Sequence, residues 1–119
     1  MPQSPKFARL IASLLAAGVL FACSGDGLGD SSGSVCPTDS ALTYENFGQN
    51  FMNTYCVACH ASKESPHLGT VEQVRAHIGE IDRAAASGPK ATNTYMPEGG
   101  SVPTEERQKL GEWLACGAP

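Results

Sequence analysis

The sequence predicts an all-α fold of about three main helices, and three observations carry that expectation. Apolar residues recur at three- and four-residue steps over three separate stretches, residues 44–55, 70–85 and 104–116. Helix-start residues open the second and third of these, and Gly-Pro or Gly-x-Pro follows each. The chain has 119 residues, room for one small domain and little else.

Ahead of the helices lies a stretch that reads as a targeting segment. Lys6 and Arg9 form a short basic region, and a nearly unbroken apolar run follows from Leu10 to Phe21. That run is too short for a transmembrane helix, which needs about 20 apolar residues. It matches the core of a secretory signal peptide instead. Its end, Leu20-Phe21-Ala22-Cys23, resembles the lipobox of bacterial lipoproteins, with Phe21 bulkier than the usual occupant. The resemblance implies that residues 1–22 are removed and that the Cys23 thiol receives a diacylglycerol. The alternative is an ordinary secretory signal, with Cys23 incidental.

Residues 24–34 contain eight Gly or Ser among eleven. So little apolar surface favours flexible coil, so residues 23–42 are expected to be a lipidated N-terminus and tether. The folded domain is expected over residues 43–119. Loss of Lys6 and Arg9 leaves six basic against twelve acidic residues, a charge of about −6. A domain of that sign is a poor partner for nucleic acid or an anionic lipid surface.

The first helix is expected from Tyr44, because Tyr44, Phe47 or Gly48, Phe51 and Tyr55 fall on one side of a helical wheel. It leads into Cys56-Val57-Ala58-Cys59-His60, the strongest chemical signal in the chain. Two cysteines three apart at a helix end present both sulfurs to the two vinyl groups of one haem edge, and the next histidine turns under the iron. The pentapeptide is accordingly a haem-attachment signature. A thioredoxin-like pair would want a βαβ context, and a zinc site would want a second ligand pair at matching spacing. Neither is visible, and His67 and His77 are not so arranged.

From these residues the chain resembles the class I cytochromes c over about residues 43–119. Gly48 is similar to the small residue at which that family's first helix crosses its last. Phe51 and Met52 match the apolar pair beside the haem, and Ser65-Pro66-His67-Leu68 resembles the family's Gly-Pro-x-Leu element. The resemblance implies a cytochrome c-like fold around one covalent haem c. It implies that the Pro66 carbonyl accepts the His60 Nδ1–H, that Leu68 covers the proximal haem face, and that His60 binds iron. Ser65 departs from the pattern and leaves the turn geometry open.

A middle helix is expected after Thr70-Val-Glu-Gln73, a capping box. Val71, Val74, Ile78, Ile81 and Ala85 turn inward, and Gly88-Pro89 stops it. Met96-Pro97 then lies in a loop whose place resembles the family's distal-ligand segment. By that resemblance Met96 supplies a thioether to iron, which raises the reduction potential; His67 and His77 are the rivals, and a gap-filling core role is the bland reading. In the last helix Thr104 is expected as N-cap, with Glu105 and Glu106 at the positive end and Leu110, Trp113 and Leu114 on the buried face.

Five cysteines resolve if Cys23 is lipidated and Cys56 and Cys59 take haem. Cys36 and Cys116 then remain, a natural disulfide in an oxidising compartment unless the two thiols lie apart. The expected function is one-electron transfer by an exported, envelope-anchored monomer, with its domain in the periplasm or at the cell surface and redox proteins as partners. No acid–base pair or nucleophile suggests an enzyme. The alternatives are a haem c sensor or catalytic domain with an open sixth site, and a non-haem lipoprotein.

Overall fold

The computed structural model describes residues 27–119. The signal segment 1–22 and the lipidation site Cys23 lie outside the described residues. Among those described, three helical runs form the molecule, no strand is present, and no helix is long and apolar enough to cross a membrane. The architecture is all-α.

The first run is a π-helical turn, Tyr44–Gly48, continued by α1 (Gln49–Tyr55) and α2 (Val57–His60). Thr43 and Asn46 start it as a capping box, each side chain satisfying the other's backbone N–H. Phe47, Gly48, Phe51 and Met52 are buried. The run crosses the last helix, α5 (Thr104–Ala115), at Gly48, where the Trp113 indole lies directly against the backbone. Trp113 is fully buried, stacked near Tyr44 at 6.3 Å and edge-on to Phe47 at 6.0 Å between centroids. Burying a side chain of this size is worth about 2–3 kcal/mol.

The middle run is two helices rather than one. Val71–Ala76 (α3) carries the Thr70–Gln73 capping box, and Ile78–Ala85 (α4) follows a break at His77, whose φ of −128° and ψ of 24° are not helical. Val74, Ile81 and Ala85 face the core; Val71 and Ile78 are half-buried. The run ends at Ala85, before Gly88-Pro89, because Ala86 turns extended and begins a tight hairpin. Gly88 N–H donates to Ala91 O at 2.9 Å and Asn93 N–H to Ala86 O at 2.9 Å, and Ser87 pairs with Thr92. The start of α5 also differs from expectation. Pro103 is the cap and Thr104 the first helical residue; the Pro103 carbonyl receives the Glu106 and Arg107 N–H groups, and no side chain caps the end.

The segment expected to be a flexible tether is docked from Gly29 onward. Gly29 N–H donates to Arg83 O at 2.9 Å, Arg83 Nε returns to Gly29 O at 2.8 Å, and the fully buried Ser32 donates its N–H to Asp82 Oδ2 at 2.8 Å. Composition misled here because the segment binds through backbone groups and the Ser32 and Ser34 hydroxyls, with little apolar surface of its own. Gly88 and Gly111 admit it: a β-carbon on either would overlap Ser32 O or Ser34 Oγ.

Candidate functional site

The Cys-x-x-Cys-His motif sits where the first helical run breaks. Cys56 leaves helical geometry (φ −122°, ψ −44°) while its N–H still donates to Met52 O at 2.9 Å. Its own carbonyl then accepts the His60 N–H at 2.9 Å, starting the single turn of α2. Three residues make almost one turn, so Cys56 and Cys59 share a side of the backbone. Cys56 is half-buried, Cys59 is exposed, and both are free thiols. Burial pushes the Cys56 thiol up to about 11, opposed by the positive charge of Arg107. A dithiol redox pair requires the opposite, a thiol held as thiolate at neutral pH.

His60 is gripped from two sides. Its Nδ1 lies 2.8 Å from Pro66 O, and its carbonyl accepts the Leu68 N–H at 2.7 Å. A carbonyl can only accept, so Nδ1 carries the proton, and in the neutral ring Nε2 is the nitrogen with the lone pair. Nε2 has no hydrogen-bond partner among the described residues. An imidazole with one nitrogen tied to a carbonyl and the other free is prepared to bind a metal. Leu68 is 5% exposed and joins the core, whereas His67 between them is exposed.

Met96 is half-buried and packed against the core, with its N–H on Ala84 O at 3.0 Å. Its carbonyl accepts from Arg107 Nη1 at 2.9 Å, as do Asn93 O and Ala85 O at the same distance. Arg107 is 3% exposed. The charges of Cys56 and Arg107 act on one another across the fold. Met52, of the apolar pair before the motif, is 1% exposed inside the core, and the rival ligand His77 is half-buried at the α3–α4 break with Nδ1 on Glu80 Oε1 at 3.1 Å.

These residues offer one imidazole nitrogen without a partner among the described residues, two free thiols and a half-buried thioether. Among the described residues no group of three or more His, Cys, Asp or Glu side chains gathers as an all-protein metal site. Cys36 and Cys116 form a disulfide, Cα atoms 4.7 Å apart, which ties the docked N-terminal segment to the end of α5. Sequence reasoning passed over Arg107 and Asn93. Arg107 could have been found, because it shares the face of Leu110 and Leu114 at helical spacing and therefore had to point inward. Comparison with protein-family models, with curated proteins and with solved structures gave no match to this chain.

Proposed function

We propose that this chain is a one-electron carrier with a single haem c, attached through Cys56 and Cys59, ligated by His60 and Met96, and tethered to the cell envelope through Cys23. Bound there, the haem supplies a reversible one-electron couple. The reading is carried by one observation: His60 Nδ1 is committed to Pro66 O at 2.8 Å while Nε2 has no partner among the described residues. That arrangement fixes the tautomer a metal ligand needs and orients the ring before anything binds.

The remaining roles follow from chemistry at stated atoms. Cys56 and Cys59 would hold the haem by thioether links, sulfur to one vinyl carbon and the thiol hydrogen to the other, with no oxidant consumed. Raising the Cys56 thiol to about 11 keeps it protonated and slow in disulfide exchange. Leu68 and Met52, both withdrawn from solvent, would give the group an apolar setting in which a one-electron change of charge needs little rearrangement. With His60 and Met96 both bound, the iron would offer no open position for catalysis, in contrast to haems that bind oxygen.

Mass spectrometry and visible spectra of protein exported in a host that matures c-type haem test this. The mass should rise by one haem, and the oxidised protein should show the weak red band of methionine-bound ferric haem. A chain without the added mass refutes the cytochrome reading. Added mass with no such band, and ready carbon monoxide binding when reduced, would favour a sensor or catalytic domain.

A further inference from the structure

Arg107 is a guanidinium almost wholly withdrawn from solvent, and among the described residues no carboxylate pairs with it. Burying such a charge is costly unless its donors are used. Its partners are three backbone carbonyls, Ala85, Asn93 and Met96, each 2.9 Å from Nη1, whose two hydrogens the three acceptors share. Ala85 ends α4; the other two bracket the loop 93–96, in which Thr94 and Tyr95 are exposed. The first residue of that loop is independently fixed. Asn93 is buried, and its Nδ2 donates to Asp30 O and Asp82 O at 2.8 and 2.9 Å. At the far end, Met96 is held through its N–H by Ala84 and through its carbonyl by Arg107. With both flanking peptide groups pinned, the Met96 Cα has one position and its thioether a short, defined reach.

Resting on the haem reading above, we propose that Arg107 is the positioning residue for the sixth ligand: its clamp on the Asn93 and Met96 carbonyls keeps Met96 at the iron and closes that site to exogenous ligands. Among the described residues no other side chain hydrogen-bonds α5 to this loop, and the charge strengthens the contact beyond a neutral one. Lysine would keep the charge, but its nitrogen ends one bond short of Nη1. Glutamine loses the charge and is shorter still.

The test uses the full chain with haem attached, as wild type, Arg107→Lys and Arg107→Gln, titrated with imidazole in the ferric state. Loss of one charge-assisted hydrogen bond should tighten imidazole binding by about tenfold or more in Arg107→Gln. Arg107→Lys should fall between, the red band should weaken in the same order, and haem content and helicity should stay at wild-type values. Haem-loaded variants with wild-type imidazole affinity and band would overturn the proposal while leaving the haem reading intact. A wild type with haem but no methionine band would overturn it too. A wild type that takes no haem overturns the proposal together with the haem reading; if only the variants fail to fold, hydrogen exchange of the haem-loaded wild type decides. The Met96 amide should exchange as slowly as the α5 core amides, and exchange through frequent local opening would refute the clamp.

Discussion

Replacing Gly48 by alanine should destabilise the protein, although alanine is the better helix former. Gly48 has φ −58° and ψ −44°, ordinary helical values, so the backbone accepts alanine and propensity alone would add about 1 kcal/mol. Packing opposes this. A β-carbon there would lie 2.7 Å from the Trp113 Cε2 and closer still to Cζ2 and Cη2. The indole has nowhere to go, being fully buried between Tyr44 and Phe47 with Nε1 on Pro119 O at 3.3 Å. Overpacking of this kind costs about 1–3 kcal/mol and here sits at the upper end, leaving a net loss of about 1–2 kcal/mol. For a domain of this size that lowers Tm by about 4–16 °C. The control is Gly79→Ala in α4, where a β-carbon meets nothing within 4 Å, and a gain of up to about 1 kcal/mol is expected. Thermal melts of the two variants should therefore move in opposite directions. Adding Trp113→Phe, which removes the crowded ring atoms, should recover about 1 kcal/mol of the Gly48→Ala loss in a double-mutant cycle. A Gly48→Ala protein as stable as wild type would refute the crossing.

Three other outcomes are expected. Met96→Ala should leave haem attached but lower the reduction potential by at least about 60 mV, a tenfold change for one electron; an unchanged potential would show that another group binds the iron. Opening the Cys36–Cys116 bridge by Cys36→Ser should cost about 4 kcal/mol in the chain-entropy picture for a separation of 80 residues. Denaturant unfolding measures it, and a loss under about 1 kcal/mol would mean that the docked segment holds the chain ends unaided. Cys23→Ser should move the protein from membranes to the soluble fraction, and continued tight membrane association would contradict the lipid anchor.

The last helix shows where legibility stopped. Leu110, Trp113 and Leu114 were readable because burial at i, i+3 and i+4 follows from helix geometry alone. Its first residue was not, since Thr104 looks like a cap and Pro103 does that work through its carbonyl. The same division runs through the middle run: the Thr70–Gln73 box is local and was visible, while the break at His77 and the early end at Ala85 answer to packing and to the 86–93 hairpin.

Local pattern therefore determined the all-α class, the three helical runs, the Cys56-Val57-Ala58-Cys59-His60 motif and the leftover pair Cys36 and Cys116. Apart from that pair, left over by counting and 80 residues apart, these depend on neighbours a few residues apart, whose relation the chain itself carries. Tertiary structure decided the rest. It docked Gly29–Ser34 through backbone groups that composition does not weigh, and it brought Arg107 across the fold to the Asn93 and Met96 carbonyls. Every residue carries a carbonyl, so no sequence pattern marks which carbonyls a buried guanidinium will reach. Only the folded chain, with nowhere else to place that charge, selects them.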